Sequence, residues 1–115
     1  MATITGRLAG VDVSTLATLT DIYTVPALQS ADVNITIANR ADTITNIRVA
    51  HIKNGVALGV ALTDYLIYDL PTSSLASNFA PISLTGIMMG AGDTIAVLTS
   101  ASAVTVQVNG IEEAI

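Results

Sequence analysis

The sequence of 115 residues contains no cysteine and no tryptophan, and its aromatic residues are three tyrosines and one phenylalanine. Without cysteine the chain forms no disulfide, no thiolate metal site and no cysteine nucleophile. A zinc site needs several histidine, cysteine or carboxylate ligands, and the chain has one histidine, His51. Because aromatics make up only 3% of the chain, the core must be built from valine, isoleucine, leucine and alanine.

Charge is also scarce. Charged residues make up 11% of the chain, whereas globular proteins average about 25%. The only cations are Arg7, Arg40, Arg48 and Lys53, against nine acids, so the formal net charge is −5. A chain with this charge balance is expected to bind neither nucleic acid nor an anionic membrane. Because interface centres are poor in charge, the composition favours an oligomer or assembly component over a monomer with an unusually threonine-rich surface.

The length and the apolar content, 51% of residues, fit one folded domain spanning residues 1–115. The run from Met1 to Gly10 has no basic region followed by an apolar stretch, so it predicts no signal peptide. The longest nearly uncharged apolar run, Gly55 to Leu62, is too short to cross a bilayer. We therefore expect a protein that is made in the cytoplasm and is soluble there.

Apolar and polar or small residues alternate along four segments of the chain, and β-branched residues dominate them. In a β-strand, alternate side chains point to opposite faces, so each segment has one face suited to burial. The pattern predicts a core lined by the apolar members of this alternation, which are Val33, Ile35, Ile37, Ile47, Val49, Ile95, Val97, Val104, Val106 and Val108.

Turn residues separate these segments. Asn54-Gly55 favours a turn with positive φ, and Ser100 to Ser102 predicts a short hairpin connection. Spacing of about a dozen residues predicts an all-β fold, a single-domain β-sandwich or jelly roll of about eight mostly antiparallel strands. The sixth strand has an alternative end, beyond a bulge at Gly86, at Met89. The predicted strands are Ala2 to Leu8, Asp21 to Val25, Asp32 to Ala38, Thr45 to Lys53, Asp64 to Leu70, Pro81 to Leu84, Thr94 to Leu98 and Ala103 to Gly110.

Some framework details can also be predicted. Tyr23 lies just before a proline that ends its strand, so its ring is expected to cover one end of the sandwich with the hydroxyl in water. Arg40 lies in a turn and is expected to pair with Asp42 or Asp69. The segment Asp12 to Thr20 is interpreted as a loop.

A search for catalytic motifs assigns no active site. A Ser-His-Asp triad would need His51, but no G-x-S-x-G motif accompanies it. His51 lies on a predicted strand close to Lys53, which favours a half-exposed structural histidine. The pair Gly90 and Gly92 has no third glycine or following helix pattern, so a tight turn explains it better than a nucleotide site. The chain is predicted not to be an enzyme.

Carboxylates and methionines assign no metal or cofactor site either. Asp64 and Asp69 bracket one predicted strand and point to opposite faces, and Glu112 and Glu113 are adjacent. A calcium site needs oxygen ligands that converge, so these acids are interpreted as solvated. The pair at Met88-Met89 is interpreted as core or interface filler.

Short motifs follow one another in order along the chain, and they are Met1-Ala2-Thr3, Gly6-Arg7-Leu8-Ala9-Gly10-Val11-Asp12, Asp21-Ile22-Tyr23-Thr24-Val25-Pro26-Ala27, Asn39-Arg40, Tyr65-Leu66-Ile67-Tyr68-Asp69, Leu84-Thr85-Gly86-Ile87, Ala91-Gly92-Asp93 and Val106-Gln107-Val108-Asn109-Gly110-Ile111-Glu112-Glu113. In this order they resemble the motifs of small β-rich structural (virion) proteins of tailed bacteriophages. The resemblance implies attachment to a tail, fibre or capsid, and no catalytic residues. The chain departs from the group at Gly55 to Thr63 and Ser73 to Ala80.

Two functions are therefore expected from the sequence. The first is a virion structural protein, made in the host cytoplasm, that forms a homo-oligomer and docks on other virion proteins on the tail or fibre or as capsid decoration. A trimer is favoured by analogy with phage fibres and capsid knobs. The second is a receptor- or carbohydrate-binding module of the phage adsorption apparatus. Exposed Tyr65 or Tyr68 beside acidic groups in a shallow cleft would favour the second function.

Overall fold

The computed structural model describes residues 3–13, 18–40, 44–55, 62–72, 81–100 and 104–114. These residues form eight strands and one short 3₁₀ turn, at Leu62–Asp64. The strands are β1 (Ile4–Val13), β2 (Thr20–Thr24), β3 (Gln29–Asn39), β4 (Thr45–Ile52), β5 (Tyr65–Thr72), β6 (Ile82–Met89), β7 (Thr94–Thr99) and β8 (Val104–Ala114).

The strands form two four-stranded antiparallel sheets packed as a sandwich. The first sheet has the order β1-β8-β3-β6 and the second has the order β2-β7-β4-β5. Four of the strand pairs are those of one long hairpin, namely β1·β8, β2·β7, β3·β6 and β4·β5. When this hairpin is rolled up, the pairs β3·β8 and β4·β7 form as well. This is the strand order of an eight-stranded jelly roll. The predicted fold class is confirmed.

The strand order corrects one predicted connection. The strands β7 and β8, which flank Ser100 to Ser102, lie in opposite sheets, so the predicted hairpin is wrong and the chain crosses the sandwich there. Predicted strand limits fall within three residues of β2, β3, β4, β5 and β7. The predicted limits of β1, β6 and β8 end too early. The predicted loop at Asp12 to Thr20 begins too early, because β1 continues to Val13.

The core lies between the two sheets. All ten predicted core residues are buried, with at most 1% of their surface exposed. Side chains from both sheets therefore share one apolar interior, as the period-two pattern predicts. Residues outside that pattern complete the same cluster, among them Val13, Ile22, Tyr23, Val25 and Met89.

The four edge strands, β1, β2, β5 and β6, are each bulged: at one or more points an edge strand has an extra residue opposite its neighbour. The interior ladders β3·β8 and β4·β7 are regular. On β6 the bulge lies at Gly86, where φ is 71° and the backbone N–H donates to Asn34 Oδ1 at 3.1 Å. The alternative extension of this strand to Met89 is confirmed. Because bulges hinder pairing with further strands, these edges are protected by their geometry without much charge.

Candidate functional site

One end of the sandwich is held together by Asp93, a buried residue between β6 and β7. Its Oδ1 accepts the backbone N–H of Asn54 at 3.0 Å, and its Oδ2 accepts that of Gly90 at 3.0 Å. His51 Nε2 lies 3.0 Å from the same Oδ2. The Asp93 carbonyl also accepts the N–H of Val25 at 3.0 Å. The connections after β2, β4 and β6 therefore converge on one residue, and we call this arrangement the Asp93 clasp.

The clasp stabilises the ionised form of its carboxyl group. Burial by itself raises the pKa of Asp93. The N–H donors of Asn54 and Gly90, together with His51, outweigh burial and hold the pKa below its ordinary value of 3.8. Only 12% of the Asp93 side chain is exposed, and both oxygens of its carboxylate accept hydrogen bonds from within the fold.

Gly92 lies in the tight turn that the pair Gly90 and Gly92 predicts. Its φ is 81°, and a Cβ at this position would lie 2.5 Å from Cγ of Asn54. Only glycine fits this conformation next to the Asn54 side chain without displacing it. The pattern at Gly90 and Gly92 thus predicts the turn correctly. The pattern does not predict the hydrogen bonds of Asp93 to Asn54 and Val25, because these partners are backbone groups far away in the sequence.

His51 is placed as the sequence predicts, with 25% of its side chain exposed at the end of β4. Among the described residues, Asp93 is the hydrogen-bond partner of His51. A catalytic histidine of a triad would also contact a nucleophilic hydroxyl, and within the described ranges His51 has no such contact. The histidine and aspartate form a hydrogen-bonded pair at the sandwich end.

A second buried polar contact joins the two sheets. The hydroxyl of Tyr23 on β2 donates to Oε2 of Glu112 on β8, and both residues are at most 7% exposed. Burial, followed by the hydrogen bond and the charge of Glu112, raises the pKa of Tyr23 above its ordinary value. The prediction of a solvated hydroxyl is wrong, as is the prediction of a solvated Glu112. The pairing of Tyr23 with Glu112 is invisible in sequence because 89 positions separate them.

The predicted pairing of Arg40 with Asp69 is wrong, whereas the predicted pairing with Asp42 falls outside the described residues and stays a prediction. Arg40 pairs with Asp12, and its Nε donates to Thr105 Oγ1 at 2.8 Å. Asp42 lies outside the described residues, and Asp69 is engaged by a different arginine. The predicted strand begins one residue too early at Asp64, because this residue ends the 3₁₀ turn and β5 begins at Tyr65.

Asp69 belongs to a cluster on the outer face of β4 and β5. Arg48 donates to both of its carboxylate oxygens, at 2.6 and 3.0 Å, and this pairing lowers the pKa of Asp69. The guanidinium also lies 3.9 Å from the ring centre of Tyr68, which Tyr65 contacts edge-on at 5.0 Å. The arginine therefore covers one face of the Tyr68 ring and binds the neighbouring acid, while about half of the tyrosine's surface (52%) remains exposed.

A shallow groove of about 420 Å³ opens on the first sheet, where β3 begins and β6 and β8 end. Its lining includes Asp32, Met88, Ile111, Glu113 and Met89. We call it the end groove. Met88 is 77% exposed and Ile111 is 42% exposed, so two apolar side chains face solvent beside two acids. The interpretation of Met88 as interface filler remains a prediction, whereas Met89 belongs to the core.

Within the described ranges, no group of three or more histidines and carboxylates is arranged to hold a metal ion. In the same part of the chain, no helix has the length and apolar character needed to cross a membrane. No protein-family model matches the chain, and no match to it is found among curated proteins.

Proposed function

We propose that the chain is a structural protein of a bacteriophage virion, a small assembly module on the tail or fibre or a decoration of the capsid, without catalytic activity. The observation that carries this proposal is the open outer face of strands β3 and β8. Asn34 and Thr36 lie beside Asn109 and Gln107 there, and all four side chains are uncharged. An accessible surface with so little charge is typical of the centre of a protein interface.

The fold supports the proposal more weakly. Jelly rolls occur in viral capsid proteins, but also in lectins and cupins, so the strand order alone does not assign a function. The ordered sequence motifs favour the viral alternative. The two observations are independent, since the motifs are local and the strand order is a property of the whole domain.

The partners proposed are further copies of the chain and other virion proteins, with a trimer favoured by analogy. Because all four edge strands carry bulges, association by continuing a sheet from one copy into the next is disfavoured. Contacts through the face of the first sheet fit the structure better. The low charge of the sequence supports this kind of contact, but it gives no reason for edge pairing.

The test is to ask whether the chain travels with intact particles. In a lysate of the phage that encodes it, the chain should sediment with particles through a density gradient. A non-structural protein of the same phage is the control and should stay in the soluble fractions. A chain that also stays there would show that the proposal is wrong.

The second candidate is a receptor- or carbohydrate-binding module, and the exposure of Tyr68 beside Asp69 is the observation that favours it. Its distinguishing variant is Tyr68→Ala. If the chain recognises a receptor through this ring, particles with the variant should assemble normally and adsorb poorly to the host. A structural module predicts normal assembly and normal adsorption.

A further inference from the structure

The end groove has an ordered arrangement of side chains across three strands. Asp32 on β3 is paired in register with Met88 on β6 and with Ile111 on β8. One carboxylate therefore lies between two exposed apolar side chains, with neighbouring strands about 5 Å apart. Ser30 and Glu113 form the pair two positions along the same strands, about 7 Å away. The second acid thus lies next to the first on the same face.

Both acids lack a counter-ion within the part of the chain that the structure describes. Neither Asp32 nor Glu113 has a hydrogen bond or an ion pair to another described side chain, although both are exposed. Two of the arginines are engaged elsewhere, Arg40 with Asp12 and Arg48 with Asp69. The described lining of the groove also contains no cation. In the end groove, negative charge beside exposed apolar surface is thus not compensated by any described side chain.

We propose that the end groove docks a short cationic segment, with apolar residues beside its lysine or arginine, from the larger virion protein that carries this chain. The inference rests on the proposed function. The cation binds between Met88 and Ile111 onto the carboxylate of Asp32, and its aliphatic stem covers the two apolar side chains. A second cation two positions along an extended segment reaches Glu113, because alternate residues of a strand are about 7 Å apart.

Charge decides against a second copy of the chain as the occupant. A twofold contact between two end grooves would bring Asp32 and Glu113 of one copy against the same acids of the other. Like charges brought together at an interface oppose association. A positively charged partner removes this penalty.

The probe is a pair of synthetic peptides, acetyl-Leu-Lys-Leu-Lys-Leu-amide and the same peptide with glutamate in place of lysine. Each is titrated into the full-length protein, and the methyl signals of Met88 and Met89 are followed by NMR. We expect the lysine peptide to shift these signals saturably, less so at high salt, and the glutamate peptide to leave them unchanged. Equal binding of both peptides, or no saturable shift with the lysine peptide, would overturn the inference.

Variants locate the binding. Asp32→Asn and Glu113→Gln should each weaken binding of the lysine peptide roughly two- to fivefold, as expected for one exposed ion pair. Asp21→Asn, at an exposed acid on β2 in the other sheet, is the matched control and should leave binding unchanged. Met88→Ser should weaken binding, and Leu66→Ser, at an exposed position on β5, should not. Loss of affinity with the controls as well would overturn the assignment to this groove.

The failure of this inference can be separated from failure of the proposed function. Particles are reconstituted with Asp32→Asn and Met88→Ser, and their content of the chain is measured. Normal content of both variants would leave the virion assignment intact and overturn the docking site. Reduced content, with normal content of Asp21→Asn and Leu66→Ser, supports it. A chain that binds the lysine peptide but is missing from particles would contradict the proposed function alone.

Discussion

The outer faces of the two sheets differ in how they meet solvent. On the first sheet, most outward residues of β3 and β8 are polar, and all of them are at least partly accessible. On the second sheet, Ala50, Ile52 and Ala96 are at most 2% exposed, and Leu19 and Tyr65 pack against them as a second small cluster. The second sheet is therefore buried on both faces along part of β4 and β7, whereas the first is buried on one.

This difference is already present in the strand sequences. Apolar and polar residues alternate from Ala31 to Ile37 in β3 and from Val104 to Asn109 in β8, which is typical of a sheet with one open face. β7 contains the continuous apolar run Ile95 to Leu98, and β4 ends in Val49-Ala50-His51-Ile52, where the outward positions are also apolar. Broken alternation therefore indicates a covered face. The open face of the first sheet is the one on which the proposed contacts with partners are placed.

The largest expected effect tests what the two sheets share. Ile35→Ala on β3 and Ile47→Ala on β4 each remove a fully buried side chain from the common core, so each should lower the free energy of unfolding by about 2–5 kcal/mol. Chemical denaturation of both variants is the measurement. Losses that differ several-fold would show that the sheets do not depend equally on one interior.

A somewhat smaller effect tests the end of the sandwich where the Asp93 clasp joins both sheets. Asp93→Ala leaves the backbone N–H groups of Asn54 and Gly90 without their acceptor, so we expect a loss of about 3 kcal/mol in the free energy of unfolding. Asp21→Ala, at an exposed acid on β2, is the control and should change stability by at most about 0.5 kcal/mol.

The same variant has a defined pH dependence. The pKa of Asp93 is lower in the folded protein than its ordinary value of 3.8, so the carboxylate stabilises the fold fully above that value. This contribution disappears as the pH falls through the lower, folded pKa. The stability difference between the wild type and Asp93→Ala should therefore be constant near neutral pH and shrink below about pH 4. A difference that grows in acid would contradict this assignment.

The third prediction compares the outer faces directly. Ile52→Ala removes a side chain that is 2% exposed from the small cluster on the second sheet and should cost about 2 kcal/mol. Met88→Ala removes a side chain of similar size that is 77% exposed on the first sheet and should cost at most about 0.5 kcal/mol. Equal losses in thermal or chemical unfolding would show that both outer faces are covered.

The sequence predicts the parts of this structure that depend on local pattern. Alternation identifies the core side chains of β3 and β8, because neighbours two positions apart share a face whatever the partner strand is. Sheet order depends on which distant strands pair, and nothing local distinguishes a hairpin from a crossing between sheets at Ser100 to Ser102. The strand ends beyond a bulge, at Ala9 to Val13 in β1, were also missed because the extra residue shifts the alternation.

The polar contacts escaped prediction for a related reason. Glu112 reads as a solvated acid next to Glu113, and only the meeting of β2 with β8 brings Tyr23 to it. Asp93 follows a glycine turn, which suggests a role in the turn but not a link to β4 and to the β2–β3 connection. Arg48 and Asp69 are 21 positions apart and meet because β4 pairs with β5. None of these contacts can be predicted before the pairing and register of the strands are known.

Among the substitutions expected to destabilise the fold, His51→Ala should have the smallest effect. The imidazole supplies one of three hydrogen bonds to the Asp93 carboxylate, and the two backbone donors remain without it. We therefore expect a loss of about 1 kcal/mol in the free energy of unfolding, and full incorporation into particles. In an Asp93→Ala background the same change should have nearly no effect, since the partner is already gone. If His51→Ala abolished adsorption or another activity while the fold survived, His51 would be functional, and the second sheet would carry a site that the open face of the first does not.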